Sequence, residues 1–207
     1  MNNEKSEKQR VDPLYTVGYI VLVAFVRLFY GLRIVGRENI PDGAALICAN
    51  HSNSLDPVYL CAAVDRSQQV HMMAKKEIFK TRLLTWLFKK VGAFPVDRST
   101  ADISAIRTTL KYLKSGCKVG IFPEGTRVSQ DDSVQAKHGA LKLAERSGAP
   151  IVPVYIPRKK RLFRRNTVVV GEPYYINPER KKLTTEEYDE LAAELMIKIN
   201  GLRNSNT

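Results

Sequence analysis

His51 and Asp56, five residues apart, are the pair in this chain best suited to moving a proton. They lie in the polar stretch Asn50-His51-Ser52-Asn53-Ser54-Leu55-Asp56-Pro57, between the apolar runs 44–49 and 58–64. The first run reads as a buried strand and the second as a helix, with Pro57 suited to its first turn. A loop that curls back between them brings the carboxylate onto the imidazole. The carboxylate then fixes the tautomer, and the other ring nitrogen can take a proton from a hydroxyl. The plain alternative is a helix-capping aspartate beside an unrelated histidine.

Two further stretches have the same form, an apolar run that stops at charged residues: 92–98, ending in Asp97-Arg98, and 118–127, ending in Phe122-Pro123-Glu124-Gly125-Thr126-Arg127. In open α/β sheets, ligands bind beyond the carboxyl ends of the strands, so the three ends together define a candidate site.

With these blocks in view, the sequence resembles the glycerolipid acyltransferase family, and within it the bacterial 1-acylglycerol-3-phosphate acyltransferases. The resemblance rests on H-x4-D at 51–56, on 92–98, on 122–127 and on Ile151-Val152-Pro153-Val154, in the family's order, with Ala74-Lys75-Lys76-Glu77 where an alanine-lysine-x-glutamate piece is common. Val128 departs mildly, in a place where a small polar residue often follows the arginine. The resemblance implies transfer of a fatty acyl group from a thioester to the free hydroxyl of a lysophospholipid. The co-substrate is an acyl carrier protein or coenzyme A thioester, and no cofactor or metal is needed. His51 is then the general base and Asp56 its orienting partner. Gly125 and Thr126 amides and the Lys75 ammonium are the oxyanion donors. Arg98 and Arg127 are the phosphate ligands, because a guanidinium forks onto phosphate oxygens. Glu124 is expected to orient an arginine or bind the glycerol, with a purely structural salt bridge as the alternative, and Asp97 to pair with a neighbouring base. Ser52 and Ser54 allow a rival acyl-enzyme route, but no Gly-x-Ser-x-Gly elbow surrounds them, and shaping the loop is the simpler role. Glycerol-3-phosphate or another lysolipid is the alternative acceptor. A non-catalytic basic membrane- or nucleic-acid-binding module is the reading from a different class.

The elements that must position these residues follow from the rest of the chain. At 207 residues with a formal charge of +12, the protein is long enough to bury a core and is basic enough to imply a negatively charged partner. Here that partner is taken as an anionic membrane surface rather than nucleic acid. Cys48, Cys61 and Cys117 lack metal-ligand spacing and read as reduced thiols on the cytoplasmic face of the cell membrane. Residues 1–12 are polar and expected to fray. The uninterrupted apolar stretch 13–26 is short for a spanning helix, although with Arg27 snorkelling the segment to Leu32 could just span. A helix lying in or dipping into one leaflet is preferred, with a spanning helix and a soluble core helix as alternatives. Residues 1–32 form a tail and membrane-associating helix, and 33–207 an α/β domain with a mostly parallel or mixed sheet flanked by helices.

Strands are expected at 33–36, 44–49, 69–74, 93–96, 118–122, 151–156 and 167–170. Helices are expected from Pro57, at 83–90, 101–114 and 135–146, and from Thr184, where Glu187 completes a capping box. Gly148 should cap its helix in the left-handed conformation. Two segments look lipid-facing. Helix 83–90 carries Trp86 beside Leu83, Leu84, Leu87 and Phe88, with its core-packed form as the alternative. The run 158–165 flanks Leu162 and Phe163 with basic residues, although a solvated hairpin tip or a nucleic-acid patch would fit it too.

Overall fold

A computed structural model describes residues 11–97, 102–128, 136–179 and 181–206. In chain order the elements are α1 (Pro13–Tyr30), β1 (Leu32–Val35), β2 (Ala45–Ala49), α2 (Asp56–Ala63), β3 (Val70–Lys75), α3 (Arg82–Lys90), β4 (Ala93–Val96), α4 (Ile103–Lys114), β5 (Lys118–Ile121), α5 (Gly139–Ser147), β6 (Ile151–Tyr155), β7 (Asn166–Val170) and α6 (Thr185–Gly201). The expected starts at Ala101 and Gln135 lie outside the described residues, and the two helices there begin at Ile103 and Gly139. Thr184 and Glu187 form the capping box, and Gly148 caps α5 with φ 69°.

The seven strands form one mixed sheet in the order β1-β7-β6-β2-β5-β3-β4. Strands β6, β2, β5, β3 and β4 are mutually parallel, and β7 turns back antiparallel to β6 and pairs in parallel with β1. The chain neighbours β1 and β2 are therefore not sheet neighbours. Helices cover both faces, as a largely parallel sheet requires. Strand β2 supplies Ala45, Ile47 and Ala49 to the layer holding α1 and α2. Its Leu46 and Cys48 go to the layer holding α4, α5 and α6. That two-sided burial is why the run 44–49 is apolar without alternation. All three cysteines are free, Cys48 and Cys117 buried and Cys61 half-buried.

Helix α1 is fastened to the domain at both ends. Asp12 caps its start by accepting from the Leu14 N–H at 2.9 Å, and pairs with Lys90 at 3.0 Å. The Asp12 N–H donates to Gln69 Oε1 at 3.2 Å. At the far end, Gly31 closes the helix with φ 50°, and an added Cβ would stand 2.8 Å from the Arg164 carbonyl oxygen. Asn166 donates to the Tyr30 carbonyl at 2.5 Å, and the Phe163 N–H donates to the Phe29 carbonyl at 2.6 Å. Between these ends only Tyr15, Val23 and Val26 are buried, while Val17, Val21 and Leu28 are more than half exposed. The soluble core-helix alternative does not fit so apolar an outer face. No residue of α3 is buried, and Trp86 is 54% exposed, so its core-packed alternative also fails.

Candidate active site

The parallel strands β2, β5, β3 and β4 all deliver their carboxyl ends to one edge of the sheet. His51 follows β2, Glu124 follows β5, Lys75 ends β3 and Asp97 follows β4. At the usual strand spacing, His51 lies one strand from Glu124 and about 10 Å from the β3 end.

His51 is held from every side. The preceding residue, Asn50, is fully buried and continues the β2–β6 pairing with its side chain, donating to the Ile156 carbonyl at 2.7 Å and accepting the Ile156 N–H at 2.8 Å. The His51 backbone N–H donates to Glu124 Oε2 at 3.1 Å, and its carbonyl accepts from the Val128 N–H at 2.8 Å. The imidazole stacks on Phe122, with centroids 4.1 Å apart and planes at 14°.

Asp56 opens α2 and is fully buried. Its Oδ2 accepts from His51 Nδ1 at 2.8 Å, from the Ser52 N–H at 2.5 Å and from the Asn53 N–H at 2.7 Å. The loop does curl back, and the dyad expected from the spacing forms. The capping alternative does not hold: Leu55 is the N-cap of α2 and offers no side-chain cap, and the Asp56 oxygen instead ties down the backbone before the helix. Burial alone would push the Asp56 carboxyl up. The His51 hydrogen bond, the charge of Lys160 and the backbone donor together outweigh it and hold the group below the usual carboxylate range. The stability contributed by this ionised carboxylate is therefore present above the ordinary aspartate value, and is lost as pH falls through the lowered folded value.

Two cations at this site were not singled out as site residues from the sequence. Arg158 Nη2 pairs with Glu124 Oε1 at 2.6 Å, its Nη1 donates to the Val128 carbonyl at 2.7 Å, and both side chains are buried. Lys160 Nζ forms an ion pair with Asp56 Oδ1, donates to Ser52 Oγ at 3.2 Å and to the Pro157 carbonyl at 2.8 Å, and lies over the Tyr59 ring at 5.2 Å. Its side chain is 2% exposed. The run 158–165 is thus not a uniform surface patch. Arg158 and Lys160 point inward, while Lys159, Arg161, Arg164 and Arg165 are exposed. The signal was an alternation of period two continuing past the end of β6. It was obscured because the outward-facing positions between and after Arg158 and Lys160, namely Lys159 and Arg161, are also basic.

The other expected residues fall out unevenly. Glu124 pairs with a buried arginine, Arg158, which matches the purely structural salt bridge as well as an orienting role. The Gly125 N–H, expected as an oxyanion donor, is instead taken up by the Phe122 carbonyl at 3.0 Å in a turn that puts Gly125 at φ 69°. Thr126 and Arg127 are exposed on the same loop. Lys75 lies 3.5 Å from Glu77, with its side chain 57% exposed. Asp97 pairs with Lys76 at 2.5 Å, the structural role anticipated for it. Arg98 lies outside the described residues. Ser52 Oγ lies 3.4 Å from Asp56 Oδ2 and donates to the Arg158 carbonyl at 3.2 Å, a loop-shaping role rather than that of an activated nucleophile. Among the described residues, no cluster of three or more His, Cys, Asp or Glu could hold a metal ion. Behind Phe122 opens a cavity of about 490 Å³, lined by apolar side chains such as Met73, Ile106 and Leu143, with Lys137, Lys142 and Arg146 among its polar residues.

A model of the acyltransferase family matches residues 31–157, more than half of the chain and every strand from β1 through β6. The chain belongs to the acyltransferase family. This acyltransferase is 36% identical over 185 residues to a 1-acyl-sn-glycerol-3-phosphate acyltransferase of Bacillus subtilis, covering 83% of this chain and 92% of the relative. It is 34% identical to the protein of that name from Streptococcus pneumoniae, covering 97% and 77%. Its fold matches the crystal structure of the Thermotoga maritima 1-acyl-sn-glycerophosphate (LPA) acyltransferase, PlsC, with a TM-score of 0.63 at 21% identity, over 93% of this chain and 96% of the other. In the acyltransferase described here, the matched segment holds the dyad and Glu124, while Arg158 and Lys160 follow immediately after it.

Proposed function

We propose that the chain transfers a fatty acyl group from a thioester to the sn-2 hydroxyl of 1-acylglycerol-3-phosphate (lysophosphatidic acid), giving phosphatidic acid. The observation that carries this reading is the buried His51–Asp56 dyad, its backbone clamped by Glu124 and Val128. Asp56 engages Nδ1 and leaves Nε2 to accept the hydroxyl proton. The alkoxide-like oxygen attacks the thioester carbonyl, and Thr126 or Lys75 offers donors to the developing oxyanion. Collapse expels the thiolate, which takes up the proton held on His51. No protein nucleophile and no cofactor are required. The apolar cavity beside Phe122 is within the size range of ligand sites and suits an acyl chain. The deciding assay supplies lysophosphatidic acid with acyl carrier protein and coenzyme A thioesters in turn, and glycerol-3-phosphate or other lysolipids as competing acceptors. Turnover of another acceptor in preference to lysophosphatidic acid would move the assignment within the family. No turnover of any acceptor would end it.

Arg127, exposed on the loop that follows Glu124, is proposed as a phosphate ligand, with Arg98 as the second. A charge-assisted hydrogen bond contributes about 1.5–3 kcal/mol. Arg127→Ala should therefore raise the KM for lysophosphatidic acid roughly tenfold or more, and the KM for the thioester much less. Lysine should rescue poorly if the contact is bidentate. An unchanged acceptor KM would place the phosphate elsewhere.

For membrane association, a helix fastened at both ends and roughly 27 Å long favours α1 lying in the interface over crossing the bilayer. Exposed Leu162 and Phe163 sit beside the end of α1, the Phe29 and Phe163 rings 5.9 Å apart. Phe163 holds φ 53°, an uncommon conformation for a bulky residue and one that presents an apolar tip. Trp86 on α3 is a native reporter. Anionic vesicles should blue-shift its emission and expose it to quenchers carried on lipid chains. Reversing Arg161 and Arg164 should weaken vesicle binding most at low salt. Unchanged Trp86 emission in the presence of vesicles would remove α3 from the membrane face.

A further inference from the structure

The strand after which Lys160 arrives, β6, is the direct neighbour of β2, so the loop leaving β6 passes over the loop that carries His51. Lys160 reaches back from it to the one carboxylate oxygen that His51 does not use. A buried ion pair adds little net stability over an apolar replacement, so stability alone does not account for an ammonium at this point. Its effect falls on the protonation of its partner.

We infer that Lys160 is a positioning residue of the dyad: by holding Asp56 Oδ1, its ammonium keeps the carboxylate ionised and turned toward His51, and so sets the pH at which the dyad first takes up a proton. This deepens, and rests on, the acyl-transfer reading. Among the described residues, the charged and titratable groups around Asp56 are few. His51 and Lys160 touch it, and the Tyr59 ring lies beneath Lys160. Arg158 stands close enough to repel Lys160, but is itself bound by Glu124. Burial, the largest influence on Lys160, pulls its ammonium below the usual lysine range against the pull of Asp56. Protons added to a carboxylate and imidazole in contact belong to the pair, and a third charge in contact with one member moves the whole titration.

The test reads that titration directly. The three histidines of the chain are His51, His71 and His138, so a His51→Gln variant assigns the imidazole resonance of His51 in NMR spectra. In Lys160→Met, the pH at which this resonance titrates should rise, because the ammonium that opposes a second positive charge on the pair is gone. The acid limb of kcat/KM for lysophosphatidic acid should move with it. Lys160→Arg should keep the resonance near its wild-type midpoint even if turnover falls. In an Asp56→Asn background, Lys160→Met should move it no further. Should Lys160→Met fail to fold, Lys160→Gln, which retains a donor for Ser52, is read against the same curve. A midpoint unchanged by loss of the charge, or moved equally by Lys160→Arg, would overturn the inference. An inactive wild-type protein whose resonance nonetheless shifts in Lys160→Met would overturn the acyl-transfer reading alone.

Discussion

His51→Ala is expected to leave a folded protein with about a hundredth to a ten-thousandth of the wild-type rate, the usual contribution of a positioned base. The imidazole is 7% exposed and stacked on Phe122, so its removal opens a small space without stranding a charge. Asp56 keeps Lys160 and the Ser52 and Asn53 N–H groups as partners. Loss of rate should thus separate cleanly from loss of fold. Asp56→Asn should be severe for a different reason. Its amide can donate to Nδ1 and favour the tautomer with the proton on Nε2, where it cannot accept one. It also leaves Lys160 buried beside a neutral group, so a lower melting temperature should accompany the lost rate. More than a tenth of the wild-type rate in purified His51→Ala, measured with saturating lysophosphatidic acid, would show that another group takes the proton.

The second large effect is on stability. Glu124 is 1% exposed and joins three pieces of chain: it accepts the His51 N–H with one oxygen, pairs with Arg158 through the other, and follows β5 in sequence. Removing one partner of a buried pair strands the other charge, at a cost of about 3–5 kcal/mol. For a chain of this size, Glu124→Ala should lower the melting temperature by roughly 10 °C. Glu124→Gln, which keeps the volume and one acceptor, should fall between the two. An alanine variant melting within 2 °C of wild type, a margin of roughly 1 kcal/mol, would mean that Arg158 finds another acceptor and that the clamp on His51 is dispensable.

The contrast between Glu124 and Lys160 marks how far the sequence could be read. Strand ends were legible because burial on both faces makes β2 and β6 apolar throughout, and polar residues appear abruptly where the strands stop. The dyad was legible because its members lie within one loop, so spacing carried the information. Glu124 was recognised, but its partner was not, since Arg158 lies 34 positions away and only sheet order brings them together. Lys160 was harder still. Its neighbours have the same charge, and nothing local distinguishes a lysine turned toward Asp56 from one in water. Gly125 failed for a third reason: the flexibility that suggested a close approach to substrate is used to close a turn onto Phe122.

The fastening of α1 has a bearing on how the chain is made. The groups that close the C-terminal end of the helix are made well after it, with Asn166 lying 136 positions beyond the Tyr30 carbonyl it holds. The edge strand β1 likewise waits for β7. At about 5–20 residues per second, an apolar helix and an unpaired strand stand open for on the order of ten seconds. If α1 lies at the membrane interface as proposed above, the bilayer surface shelters Val17, Val21 and Leu28 during that time. Moving β1 and α1 to the end of the chain by circular permutation should therefore change the yield of soluble, aggregated and membrane-bound protein, even where the final fold is the same.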